Sequence, residues 1–288
     1  MRGALAVALV LSVSAFGGSA WAQQTATKCD NPNALGVSRV VEIDTTGGPG
    51  FGFEHFKAYD FLQDKEVVLT FDDGPWPVNT PGVLKALADQ CTKAIFFNIG
   101  KHAGWRPDIL KEVIAAGHTV GTHTWSHKDL SKLSEQEGKD EIEKGIAAVS
   151  IASGNKPVAP FFRFPALRHP PELVKYMGER NIAMFSTDFD SFDFKMRKPE
   201  DVVKSVMTKL EKHHKGIVLM HDFQPATAKA LPEILKRMKE GGYKVVQMVG
   251  QTPTEPKPEY VQMVLKEMGG GLDEARPMSS VIKTISGN

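Results

Sequence analysis

A chain of 288 residues, 41% hydrophobic and 24% charged, has an ordinary globular composition, which excludes a disordered, collagen-like or polytopic membrane protein. Lysine and arginine number 35 against 34 acids, a formal net charge of +1, so the bulk positive field of a nucleic-acid binder is missing. The length suffices for one large α/β domain or for two small ones.

The chain opens with Arg2, an almost unbroken apolar run over 4–16, and the small-residue pattern Ala20-Trp21-Ala22. This is the layout of a secretory signal peptide, with cleavage expected after Ala22. The run is too short to cross a bilayer comfortably, and Gly17, Gly18 and Ser19 break it, which argues against a membrane anchor. No later stretch is long and apolar enough to span, so a soluble periplasmic or extracellular product without stable membrane insertion is expected. Export also changes how Cys29 and Cys91 are read, since an oxidising compartment allows an even pair to bridge. Such a bridge would tie the N-terminal extension to the end of the first helix and stabilise by roughly 3–5 kcal/mol. The competing reading is a buried free thiol at Cys91.

Residues 23–64 are rich in Gly, Asn, Thr and Pro, with one strand-like run at 38–43, and read as an irregular extension over the domain. From Glu66 a regular alternation begins. Short β-branched or aromatic runs fall at 67–71, 94–98, 119–121, 161–163, 182–186, 217–220 and 243–247. Helix-period segments lie between them at 81–89, 106–116, 134–152, 171–180, 199–213 and 229–240. Such alternation means parallel pairing through crossovers. It fits a distorted or incomplete (β/α) barrel of about seven parallel strands, or an open doubly wound sheet. In both, the active site lies at the C-terminal ends of the strands. The expected organisation is a signal peptide over 1–22, the extension over 23–64, a catalytic domain over 65–250, and a peripheral or partly disordered tail over 251–288.

The strand ends carry the chemistry. Thr70-Phe71-Asp72-Asp73-Gly74-Pro75 closes the first apolar strand, and two adjacent acids there need something positive beside them. Alternation along a strand lets the two carboxylates point different ways and take different jobs, although Asp-Gly-Pro is also ordinary turn chemistry. His123-Thr124-Trp125-Ser126-His127 follows another strand, and two histidines four apart can converge on one metal. Arg163-Phe164-Pro165 ends a buried strand with a guanidinium that needs an anion, for which Asp72 and Asp73 are candidates. Asp190-Ser191-Phe192-Asp193-Phe194 and Leu219-Met220-His221 complete the rim. Any one of these has a bland explanation; five chemistry-bearing strand ends together point to a metal hydrolase.

In this order the five segments resemble the motifs of the polysaccharide deacetylases, the family 4 carbohydrate esterases built on the NodB homology domain. The resemblance runs from about residue 65 to about 249 and implies a NodB-like distorted barrel. It implies one divalent metal, most often zinc, with cobalt, nickel or manganese as alternatives, held by Asp73, His123 and His127. Two imidazoles and a carboxylate leave an open position for water. It also implies that Asp72 is the general base, kept ionised by Arg163, and that the Ala166 N–H helps stabilise the oxyanion. His221 would protonate the departing amine, tuned by a carboxylate for which Asp193 is the first choice and Asp190 the second. The implied substrate is an acetylated polysaccharide such as peptidoglycan, chitin oligomers or poly-N-acetylglucosamine, losing N-acetyl or O-acetyl groups.

Two positions depart from the family pattern. Phe194 stands where the family commonly has Trp, and Ala166 where it has a large aromatic, which reduces the stacking surface. Trp76, Trp125 and Phe192 are candidates to supply it instead. Two rival readings are a hydrolase of small non-sugar amides on the same barrel and an inactive glycan-binding module. Export favours an envelope polymer over the first, and the presence of both Asp72 and His221 speaks against the second.

Overall fold

The computed structural model describes residues 29, 31–154 and 156–269. The signal peptide expected over 1–22 and the end of the tail lie outside the described residues. The strands in chain order are β1 (Arg39–Ile43), β2 (Gly50–Phe51), β3 (Glu66–Asp72), β4 (Ile95–Asn98), β5 (Thr119–Thr122), β6 (Phe161–Phe162), β7 (Ala183–Phe185), β8 (Phe189–Asp190), β9 (Gly216–His221) and β10 (Lys244–Gly250). The helices are α1 (Asn79–Asp89), α2 (Gly100–Trp105), α3 (Pro107–Ala115), α4 (Glu135–Ser153), α5 (Pro171–Glu179), α6 (Pro199–His213), α7 (Pro225–Glu240) and α8 (Pro258–Glu267).

Every strand of the barrel pairs in parallel. β3 is buried along its whole length, between β9 on one side and β10 then β4 on the other. The ladder continues through β5, β6 and β7. Just beyond β7 the same stretch of chain becomes β8 and pairs with β9, so the ring closes through the chain itself. This is the distorted barrel expected from the alternation. The aromatic side chains of Phe97, Phe161 and Phe185 fill its interior, while Leu69, Phe71 and Phe96 pack outward under the helices.

Local sequence sets the helix ends. α3, α5, α6, α7 and α8 each begin on a proline, whose fixed φ and missing N–H suit that position. Ser134 and Glu137 form a reciprocal capping box at the start of α4, and Gly154 ends it in the left-handed region at φ 66°.

Three expectations need correction. The extension over 23–64 carries the expected strand, β1, paired with β10, and also a short strand that its composition did not indicate, β2, paired with β7. The helix predicted over 106–116 starts at Pro107, and a separate α2 precedes it. Arg106 sits between them at φ −130°, ψ 61°, since a residue before proline is disfavoured in the α region. The tail over 251–288 contains α8, whose Tyr260 and Val264, one turn apart, are buried against Trp125, Ala147 and Ala148. That amphipathic turn is hidden in a segment dominated by Pro, Lys and Glu. Cys29 and Cys91 form a disulfide across a separation of 62 residues, which the chain-entropy model values at about 4 kcal/mol.

Candidate active site

Asp72 is the last residue of β3 and Asp73 the first beyond it, turned out of the strand at φ 74°. One oxygen of each carboxylate nevertheless lies near His123 Nε2, Asp72 Oδ2 at 3.8 Å and Asp73 Oδ1 at 3.5 Å. Asp72 Oδ1 accepts from Arg163 Nη1 at 2.7 Å inside the barrel. Arg163 is fully buried, and it also donates to Thr70 Oγ1 at 2.7 Å and to the Ser186 carbonyl at 2.8 Å, with its guanidinium carbon 4.4 Å from the Phe97 ring centroid. Burying a guanidinium is costly unless its charge is matched, and Asp72 supplies the opposite charge, while Nε is left without a hydrogen-bond partner.

Asp73 faces the loop after β5. Its Oδ1 lies 3.5 Å from His123 Nε2 and 3.3 Å from His127 Nε2. One ligand atom from each of the three residues falls within 4.8 Å of the others. His123 Nδ1 donates to the Arg163 carbonyl at 2.6 Å, which leaves a lone pair on Nε2. Burial pulls the His123 pKa down and favours the neutral ring. Asp73 Oδ1 is buried and has no hydrogen-bond donor. Lone pairs facing one another with no proton between them repel; a divalent cation in their midst would relieve this, so the donor set fits zinc.

The histidines stand on a wound loop, not a helix, with Thr124 and His127 at φ 66° and 59°. Glu141 of α4 pins that loop, accepting from the Ser126 N–H at 2.9 Å and its hydroxyl at 2.7 Å. Gly145, one helical turn on, lets the loop lie against the helix: a Cβ there would meet the Thr124 carbonyl carbon at 2.5 Å.

His221 is the register partner of Asp72 on the neighbouring strand. Its Nδ1 lies 2.6 Å from Asp193 Oδ1, and its backbone N–H donates to Asp193 Oδ2 at 2.8 Å. Thr227 Oγ1 donates to that second oxygen at 2.5 Å. Burial alone would lower the imidazole pKa, but the Asp193 carboxylate overrides it and raises the value to about 9. Asp190 instead accepts from the Phe192 N–H at 2.7 Å and closes its own turn, so Asp193 is the carboxylate on His221. His221 Nε2 is left facing the site, 4.0 Å from Asp73 Oδ2.

Of the remaining predicted residues, Ala166 is exposed in the first turn of a short 3-10 helix at φ 53°, where N–H groups lack helical partners. Phe194 is exposed, with its ring centroid 5.3 Å from that of His221. Trp76 is half-buried and meets His102 edge-to-face at 5.3 Å. Trp125 is not part of the rim. It is buried beneath α8 with Tyr260 and Val264, so its ring packs the histidine loop and offers no sugar-binding face.

Several contributors escaped the sequence reading. Thr70 shares a strand face with Asp72 two residues on, a relation visible in the motif itself. His102 Nδ1 lies 2.7 Å from the Asp73 carbonyl, and only the fold brings α2 there. Asp222 is fully buried, accepts from Thr80 Oγ1 at 2.6 Å, and has its pKa pushed up to about 7, chiefly by burial.

A polysaccharide deacetylase family model matches residues 61–185. The peptidoglycan-N-acetylglucosamine deacetylase of Bacillus cereus is 31% identical over 199 residues, covering 67% of this chain and 70% of that one. The chain belongs to the polysaccharide deacetylase family. The peptidoglycan-N-acetylglucosamine deacetylase PgdA of Listeria monocytogenes is 35% identical over 186 residues, 64% of this chain, but this family member spans only 38% of that protein's length. Among solved structures, the Bdellovibrio bacteriovorus peptidoglycan deacetylase Bd3279 superposes with a TM-score of 0.68 at 30% identity, covering 76% of this chain and 61% of that one. The family-model match ends at residue 185, before Asp193 and His221.

Proposed function

We propose that this protein is a metal-dependent deacetylase that hydrolyses the N-acetyl groups of an extracytoplasmic polysaccharide, with peptidoglycan first among candidate polymers. The observation that carries the reading is the convergence of Asp73, His123 and His127, flanked by Asp72 on the barrel side and His221 on the other. The names of the relatives favour peptidoglycan, and the disulfide fits an oxidising compartment outside the cytoplasm.

Asp73, His123 and His127 would hold the cation, which supplies Lewis acidity toward a carbonyl oxygen and toward water. Asp72 Oδ2, the oxygen that Arg163 leaves free, takes a proton from the attacking water. The water oxygen bonds to the acetamide carbon, and the Ala166 N–H donates to the oxyanion that forms. As the C–N bond breaks, His221 Nε2 gives its proton to the departing amine, while Asp193 stabilises the imidazolium beforehand. Acetate and a free amino sugar leave. The roles separate because Arg163 engages one Asp72 oxygen and leaves the other toward the site, while Asp193 keeps His221 protonated.

The test is acetate release by purified protein across peptidoglycan, N-acetylglucosamine oligomers and acetylated xylan, with and without chelator and added zinc. Chelator-sensitive release from an N-acetylated glycan, restored by zinc, supports the proposal. Activity confined to small non-sugar amides, or none on any glycan with zinc present, overturns it.

A further inference from the structure

The three proposed cation ligands hang on one local unit. The carbonyls of Thr124 and Trp125, between the two histidines, accept from the Gly100 and Lys101 N–H groups at the start of α2, at 2.9 Å each. The same helix carries His102, whose Nδ1 lies 2.7 Å from the Asp73 carbonyl. α2 has only six residues, and Thr124 and His127 sit in the left-handed region, so this unit has little stability of its own.

α8 closes over its back. Tyr260 and Val264 share a buried cluster with Trp125 and with Ala147 and Ala148 of α4. Met268, one turn further, lies against α2: a Cβ at Gly104 would meet its sulfur at 2.9 Å. Residues 260, 264 and 268 are four apart, so one face of α8 reaches both the histidine loop and the helix behind Asp73. Polar contacts fasten this end of the chain to the body of the protein. Tyr260 Oη donates to Asp140 at 2.6 Å, Lys257 Nζ donates to Tyr176 Oη at 2.7 Å, and Lys144 pairs with Glu267.

We propose that α8 is a clasp on the cation site: by holding Trp125 and α2 in place, it keeps His123, His127 and Asp73 converged in the metal-free protein. Tyr260, Val264 and Met268 are then positioning residues, acting through Trp125 and Gly104 and not on the cation itself. The ligand atoms repel one another when no cation lies between them, so an unsupported loop opens and must be closed again at each binding event. A docked α8 removes that cost beforehand. Linkage makes the effect reciprocal, since a cation that favours the closed loop must also favour docked α8. The clasp rests on the cation-site reading above, and it lies well past residue 185, where the family-model match ends.

The experiment measures zinc affinity of the purified protein by competition with a chromogenic chelator, and amide hydrogen exchange with and without zinc. The variants are Tyr260→Ala, Val264→Ala and Tyr260→Phe, with Met263→Ala, at an exposed position of α8, as control. Zinc affinity is expected to fall roughly ten- to a hundredfold in Tyr260→Ala and by less in Val264→Ala. It should recover in Tyr260→Phe, which keeps the ring, and hold in Met263→Ala. In wild type, zinc should slow exchange in α8 as well as in the histidine loop. In metal-free Tyr260→Ala, the amides of Gly100, Lys101 and Trp125 should exchange faster while those of β3 and β4 do not. If Tyr260→Ala does not fold, Val264→Ala carries the same readouts. Unchanged zinc affinity in the alanine variants, or faster exchange spread evenly over the barrel, overturns the clasp. A wild-type protein that binds no zinc contradicts the cation-site reading, while local acceleration at Gly100, Lys101 and Trp125 would still support the clasp on the loop.

Discussion

The backbone carbonyl of Arg163 accepts the Nδ1 hydrogen of His123 at 2.6 Å. The side chain of the same arginine reaches Asp72 at 2.7 Å, so one residue orients a proposed metal ligand and braces the proposed base. Both contacts follow from where β6 ends beside β5 in the parallel ladder.

Removing that arginine should be severe. Arg163→Met leaves Asp72 as an uncompensated buried charge, and urea unfolding should show a loss of about 3–5 kcal/mol. Adding Asp72→Asn to the same chain should recover part of the loss. A single substitution costing under about 1 kcal/mol, or no recovery in the double variant, would contradict a stabilising pair.

The pairing of His221 with Asp193 has a definite pH signature. The folded-state pKa of about 9 lies above the ordinary imidazole value of 6.5, so its stabilising contribution is complete below about 6.5 and lost as pH rises through 9. NMR titration of metal-free protein should place the His221 midpoint near 9 and show it well lower in Asp193→Asn. A cation on Asp73 repels the imidazolium, so zinc loading should move the midpoint down. An unshifted midpoint in Asp193→Asn would remove Asp193 as the tuning group.

Gly145 offers a test of the histidine loop from outside the site. Gly145→Ala places a methyl group 2.5 Å from the Thr124 carbonyl carbon, so helix and loop must separate. Such overpacking costs typically about 1–3 kcal/mol, and zinc affinity should fall with it because His123 and His127 flank Thr124. Native zinc affinity in Gly145→Ala would show that the loop is not held by its contact with α4.

Much of this was legible in the sequence because strand alternation and strand-end chemistry are local signals. Asp72, His123, Arg163 and His221 each end or directly follow a short strand, with Asp73 and His127 in the loops just beyond, and parallel pairing brings such ends to one rim. Trp125 was misread because adjacency to a histidine says nothing about which side of the loop a ring faces. Its burial depends on α8, more than 130 positions later, and on the Ala147–Ala148 surface of α4. The choice between Asp190 and Asp193 was equally closed to sequence, since it turns on a short 3-10 helix that begins at Asp193 and swings that carboxylate inward. His102 and Gly145 carry no motif at all and matter only through contacts between α2 or α4 and distant loops.

The division of labour between two adjacent acids is best tested by measuring zinc content and acetate release together in Asp72→Asn and Asp73→Asn. Asp72→Asn should keep near-stoichiometric zinc and lose turnover by a factor of about a hundred or more, as removal of a general base does. Asp73→Asn should lose zinc first and activity with it. Zinc lost from Asp72→Asn but retained in Asp73→Asn, or activity surviving in Asp72→Asn, would contradict the assignment.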